Sequence, residues 1–386
     1  MTTFTSNVTH EIAPLLRGLT FDGQKGLFVH EVSHKIPSLI LPAVAEGSSV
    51  EETASLWGRL LSAYTAERQL YPSIIAIDGL DLQFGLGTNY DEAVRAEGVS
   101  AIPSLPPSQS REDVVRDKIA LVTGGAQGFG EGMVRSLVQM GAFVYIADMN
   151  GEGAKKLADE LNYEACITVA KPLTVNVTDE VSVGQMLDEV AKQTGGLDLF
   201  ISNAGVLRAG SVKSMALKDF QFVTNVDYTG FFICTKFASK LMSLQNIPSN
   251  AYYSDIIAIS SKSGLQGSNK NGAYAGAKFG TIGLTQSFAL ELVEDNIKVN
   301  AVCPGNFLDG PLWSDPEKGL FVQYLAAGKV PGAQTVADVR RFYESKVPMN
   351  RGCRTADVMK AILYIVEQTY ETGQAVPVTG GQVMLN

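Results

Sequence analysis

The chain lacks any hydrophobic run long enough to cross a membrane: none of its 386 residues belongs to a stretch near the roughly eighteen apolar side chains a span requires. Its start, MTTFTSNVTHEIAP, has neither the basic end nor the apolar centre of a signal peptide, so a cytoplasmic location and no membrane partner are expected. Cysteine is scarce and never paired as CxxC; the wide spacing of Cys166, Cys234, Cys303 and Cys353 argues against a disulfide framework and predicts buried free thiols. Basic charge is also short. With 31 Lys and Arg against 40 Asp and Glu, the net charge of −9 speaks against a nucleic-acid partner, which needs a basic face. There are three histidines, and two of them fall in HEVSH, where His30, Glu31 and His34 fit the H-E-x-x-H zinc pattern. That pattern works on a helix, and here Gly26 and Pro37 flank it, Val32 and Ser33 are mediocre helix formers, and no third ligand stands out beyond the generic Glu51 and Glu52. No metal site is expected.

What is present is a chain that is 45% hydrophobic and able to bury a substantial core. The Pro- and Ser-rich stretch SAIPSLPPSQSRED, Ser100 to Asp113, marks a linker, with residues 1–99 as an N-terminal appendage, 100–116 as the linker and 117–386 as the main domain. In the main domain the runs IALVTG, FVYIAD, TVNVTD, LDLFISNAG, IIAISS, IKVNAVCPG and QAVPVTGG alternate with helical patterns. Near-continuous apolar strands separated by helices predict an α/β fold with a seven-stranded, doubly wound parallel sheet. The appendage reads as small and α/β. Ser49 and Glu52 have capping-box spacing for a helix running to about Leu70, and SIIAIDG, Ser73 to Gly79, reads as a strand. The apolar face of that helix, with Trp57, is expected to pack on the main domain or on a neighbouring subunit.

The first strand runs into TGGAQGFG, which offers Gly124, Gln127, Gly128, Phe129 and Gly130 to a ligand. Glycines there admit positive φ and let a pyrophosphate approach the backbone, its charge facing the N-terminus of the next helix. Asp148 ends the following strand, 18 residues past Gly130, where a carboxylate accepts hydrogen bonds from an adenosine ribose and repels a 2′-phosphate. NAD is therefore favoured over NADP.

The pentapeptide YAGAK carries the most chemistry. Tyr274 and Lys278 are four residues apart, so a helix puts them on one face, where an ammonium stabilises a phenolate and makes a plausible base of a group that titrates near 10 in water. Ser261 precedes Tyr274 by 13 residues, at the end of IIAIS, with a hydroxyl available to a substrate oxygen.

From Lys118 onward the chain resembles the short-chain dehydrogenase/reductase family. SNAG supplies Asn203, Ala204 and Gly205 at the family's sheet-stabilising N-A-G element, NVDYTGFF supplies Asn225 at its helix-kink asparagine, and CPG supplies Pro304 and Gly305 where its nicotinamide loop starts. Two departures stand out: NVT has Asn176, followed by Val177, where the family commonly has an adenine-binding Asp, and the usual Thr is missing after Gly305. The resemblance implies hydride transfer between a substrate carbon and nicotinamide, with Tyr274 exchanging the proton, Ser261 polarising the oxygen, Lys278 gripping the ribose, Asn225 holding a water, and Asn176 and Val177 against the adenine. It also implies a homodimer or homotetramer.

Substrate choice is expected in the long segment after Gly305, which begins with Asn306 and has the length of a lid. SKSGLQGSNKNGAYAGAKFG, PGNFLDGPLW and KVPMNRGC resemble family members that act on a phosphorylated hexitol, with sorbitol 6-phosphate and fructose 6-phosphate as the expected pair. A phosphate stripped of water needs cations, and Arg208, Lys262, Lys270 and Arg351 are the candidates. An unphosphorylated polyol, another sugar derivative, and a non-catalytic nicotinamide sensor are the alternatives.

Overall fold

A computed structural model describes residues 9–43, 48–100, 111–326 and 328–384. The N-terminal unit consists of α1 (Thr9–Leu19), β1 (Phe28–Val32), β2 (Leu39–Leu41), α2 (Val50–Arg68), β3 (Leu70–Tyr71), β4 (Ile74–Ile77), β5 (Gln83–Gly87), α3 (Tyr90–Arg95) and β6 (Val99–Ser100). Four of its strands form a sheet in the order β1-β5-β4-β2. α2 starts at a capping box in which Ser49 Oγ accepts from the Glu52 amide at 3.1 Å while Glu52 Oε2 accepts from the Ser49 amide at 3.0 Å.

The main domain follows as β7 (Ile119–Thr123), α4 (Gly128–Gln139), β8 (Phe143–Asp148), α5 (Gly151–Ala165), β9 (Ala170–Thr174), α6 (Glu180–Thr194), β10 (Leu199–Ser202), α7 (Leu217–Thr224), α8 (Gly230–Asn246), β11 (Ser254–Ile259), α9 (Gly272–Leu292), β12 (Ile297–Pro304), α10 (Pro311–Ser314), α11 (Leu320–Ala326), α12 (Val336–Ser345), α13 (Thr355–Glu367) and β13 (Ala375–Val378). Its sheet has the order β13-β12-β11-β10-β7-β8-β9, every pair parallel. One face packs on α6, α8 and α9, the other on α4, α5 and α13, so the strands are apolar on both sides, as doubly wound sheets require. The expected fold class is the observed one. Strand order reverses at β7, between β8 and β10, and that is where such sheets open a crevice at their carboxyl ends.

Several expectations need correction. The third strand is Ala170–Thr174 and shares only Thr174 with TVNVTD; Val175, whose amide still donates to the Asp148 carbonyl at 3.0 Å, and Val177 lie beyond it and are buried in the core. Pro172 is tolerated because β9 is an edge strand, with no neighbour for a missing amide. Both ends of the expected linker are structured: Ser100 pairs with Leu70, and Arg111–Val115 forms a 3₁₀ turn whose Val115 is fully buried. The rest of that stretch, 101–110, lies outside the described residues. Cys166 is exposed because it caps α5 in the left-handed conformation, while the other three cysteines are buried. Trp57 packs into the N-terminal unit's own core, its indole N–H donating to the Pro42 carbonyl at 3.1 Å, and it is α1 that lies against α6 and α8. HEVSH is not a helix: His30, Glu31 and Val32 end β1, His34 follows in the left-handed conformation, and His30 Nδ1 donates to the Gln193 carbonyl at 3.0 Å. Among the described residues no cluster of metal-ligating side chains occurs, and no helix is long and apolar enough to cross a membrane.

Candidate active site

The crevice at the strand-order reversal is a cleft of about 570 Å³, walled by the segments that follow β7, β10, β11 and β12 and roofed by α10 and α11. Its floor is the glycine turn. Gly124 and Gly128 have φ of +62° and +61°, which glycine adopts at no steric cost, and a Cβ on Gly130 would stand 1.9 Å from the Gly124 carbonyl oxygen. Gln127 is the N-cap of α4 but its side chain makes no capping bond, so the first amides of α4 are left for an incoming anion. A turn that a single Cβ would fill, facing an uncapped helix N-terminus, fits a dinucleotide pyrophosphate.

Neighbouring segments hold that floor rigid. Asn203 Nδ2 donates to the carbonyls of Thr123 and Gly124 at 3.0 and 3.1 Å, and the amides of Asn203 and Ala204 both donate to Thr123 Oγ1, tying β10 to β7. Phe129 stacks on Phe307 with ring centroids 4.1 Å apart, joining the start of α4 to the segment after Gly305. Asp148 Oδ2 accepts from the Ala126 amide at 3.0 Å, which puts the carboxylate against the glycine turn.

Ser261, Lys262, Tyr274, Gly305 and Asn306 all line the cleft. Ser261 Oγ accepts from the Ser263 amide at 3.1 Å, so its hydroxyl hydrogen stays free for an oxygen in the cleft. Tyr274 and Lys278 share a face of α9, with Lys278 Nζ 5.6 Å from the phenol ring centre. Nζ also donates to the Ile259 carbonyl at 3.0 Å, at the end of β11. Burial disfavours this ammonium, yet the charge of Asp227, with Tyr274 second, holds its pKa above the ordinary lysine value.

Other expected residues lie elsewhere. Asn225 is exposed at the end of α7 and lines no part of the cleft; the residue of that segment that reaches Lys278 is Asp227, which the sequence reading passed over. Asn225 and Asp227 are two apart, so they face opposite sides of a helix, and only the structure shows which side turns inward. Asn176 turns its side-chain oxygen to the Thr178 amide and hydroxyl at 3.1 and 2.8 Å, and Val177 is buried against Gly230. Pro304 is the last residue of β12 and is buried.

The four cations separate clearly. Arg351 is committed to Asp357 through two bonds of 2.5 and 2.9 Å, so it offers a ligand no free charge. Arg208 is exposed, its guanidinium 5.2 Å from the Phe222 ring centre, and Lys270 is exposed on a left-handed turn. Lys262 alone of the four lines the cleft, half-buried beside Ser261, and burial lowers its pKa. Among the described residues it makes no ion pair.

The family model described as short chain dehydrogenase matches residues 118–315. The sorbitol-6-phosphate 2-dehydrogenase of Escherichia coli (strain K12) is 35% identical over 270 residues, covering 69% of this chain and 99% of that protein. A crystal structure of a sorbitol-6-phosphate 2-dehydrogenase from Erwinia amylovora superposes with a TM-score of 0.63 at 37% identity, covering 69% of this chain and 100% of the other. The NAD⁺-bound structure of a xylitol dehydrogenase gives 0.61 at 27% identity, covering 69% and 99%.

Proposed function

The chain belongs to the short chain dehydrogenase family, whose members bind a nicotinamide dinucleotide, and from that premise we propose that it is an NAD-dependent oxidoreductase of a phosphorylated hexitol. The expected pair is sorbitol 6-phosphate and fructose 6-phosphate. When bound, the nicotinamide supplies the hydride acceptor. The protein's own part is alignment and proton transfer. In this reading Ser261 donates its free hydroxyl hydrogen to the substrate oxygen, Tyr274 takes the hydroxyl proton during oxidation and returns it during reduction, and Lys278 keeps positive charge beside the phenol. General acid–base action of this kind contributes about 10²–10⁴-fold.

The observation that carries the substrate reading is Lys262. An ammonium that makes no ion pair among the described residues, half-buried next to Ser261 in a cleft that Ser268, Asn269 and Asn271 also line, suits a substrate phosphate. The two sorbitol-6-phosphate 2-dehydrogenases among the similar proteins support the same choice. NAD is preferred because Asp148 places a negative charge where a 2′-phosphate would lie. Such an enzyme works where nicotinamide and sugar phosphates are held, so we place it in the cytoplasm. It assembles as a homodimer or homotetramer, a reading supported by the exposed apolar side chains of Phe232 on α8 and of Phe279 and Leu290 on α9.

The test is a panel of sorbitol 6-phosphate, sorbitol and other hexitols with NAD and NADP, followed by absorbance of the reduced nicotinamide. The phosphorylated hexitol with NAD should give the highest kcat/KM, and Lys262→Ala should raise its KM while sparing the free polyol. Equal or faster turnover of free sorbitol would shift the assignment to an unphosphorylated substrate.

A further inference from the structure

Between α7 and α8, residues Asn225–Thr229 form a π-helical turn, a local widening that often marks a functional position. The side chain it buries is Asp227, 3% exposed. Oδ1 accepts from the Val206 amide at 2.7 Å, just past the N-A-G element. Oδ2 lies 3.4 Å from Lys278 Nζ but makes no hydrogen bond. A Cβ on Gly205 would come 3.3 Å from Oδ2 and 3.4 Å from Nζ, so the segment after β10 closes over this pair. A buried carboxylate beside the lysine of the proton-transfer pair has no part in the chemistry described so far.

We propose that Asp227 is a positioning residue for proton transfer: its carboxylate holds the Lys278 ammonium against the Ile259 carbonyl and offsets its charge, thereby setting the pH at which Tyr274 accepts the substrate proton. The proposal rests on the reading of Tyr274 as the base. Two opposite charges this close and this buried cancel much of each other's field at a third group. An ammonium paired with a carboxylate therefore favours the phenolate less than an unpaired one does. Lys278 on α9 is the charged group that bears on Asp227; Tyr274, also on α9, and Cys303 on β12 bear in turn on Lys278. Burial pushes the Cys303 thiol up to about 11, so it stays neutral through the working range. Asp227 itself is raised from the ordinary carboxylate range by burial, against the pull of Lys278.

Asp227→Asn keeps the shape and removes the charge. With the negative charge gone, the field of Lys278 acts in full on the phenol, and the acid limb of the kcat/KM profile for polyol oxidation should move down by about one pH unit, with NADH affinity within about twofold of the parent. Asp227→Ser carries the same test if the Asn variant is insoluble. Tyr274→Phe is run beside them: lost turnover with NADH binding retained secures the premise. An acid limb that stays in place or moves up in the Asp227 variants overturns the proposal. Full turnover in Tyr274→Phe would instead sink the reading of the base.

Discussion

At the scale of single residues, the proposed preference for NAD rests on one carboxylate. Asp148 is fixed against the glycine turn by the Ala126 amide, and its other oxygen accepts from the Asn150 amide at 2.9 Å, so it cannot swing aside for a 2′-phosphate without losing both bonds. Asp148→Ala should bring the ratio of kcat/KM for NAD over NADP down by at least about tenfold, the equivalent of one lost charge contact near 1.4 kcal/mol. An unchanged ratio would remove this carboxylate from the ribose site. Tyr274, Lys278, Ser261 and the glycines were legible in the sequence because their spacings follow from helix and strand geometry. Asp227 was not, because choosing between Asn225 and Asp227 requires knowing which side of the α7–α8 junction faces the sheet. Arg351 misled for a similar reason: its partner Asp357 stands six residues on, across a turn that the sequence does not announce.

Among the elements, the strands were legible wherever two-sided burial left a continuous apolar run, as in Ile119–Thr123 and Ile297–Pro304. The edge strand β9 broke that rule, since AKPLT carries a lysine and a proline that an edge accommodates, while Val175 and Val177 after it lie outside the strand. α1 escaped notice because Pro14 lies inside it, and proline ordinarily ends a helix. The burial of nearly all its side chains outweighs the lost backbone bond. Similarly, the long segment after Gly305 looked like a loop but holds three short helices, gathered around Leu308, Phe321, Val330 and Val339. Thr335 opens α12 with a capping box to Asp338, which bonding to Thr335 and the Gln334 amide holds at about 2, so that cap keeps its charge through neutral pH. Of these, α10 and α11 bring Trp313 and Tyr324 to the wall of the cleft.

For the whole molecule, the N-terminal unit is joined to the main domain through a buried ion pair at the end of the sheet remote from the cleft. Arg17 of α1 is fully buried; it donates to Asp198 Oδ2 at 2.8 Å and to the carbonyls of Gly26 and Leu27 at 2.9 and 2.7 Å. Asp198, just ahead of β10, also accepts from the Ile119 amide at 2.7 Å and from Gln245 and Tyr252. Burial alone would raise this carboxyl, but Arg17 leads the charges that hold it below its ordinary value. The pair's contribution is therefore present above the unfolded value near 4 and is lost as pH falls through the lower folded value. Arg17→Met leaves a buried charge unmatched and should cost about 3–5 kcal/mol in urea unfolding at neutral pH, less in acid, with part of the loss recovered by adding Asp198→Asn. Stability equal to the parent would make the N-terminal unit a passenger. Whether hydride transfer takes place beside an ionisable phenol is decided by a crystal structure with NADH bound. The pyrophosphate should lie on the glycine turn at the start of α4 and the nicotinamide ring between Ser261 and Tyr274. A ring lying away from that phenol, or a phenol turned out of the cleft, would contradict hydride transfer there.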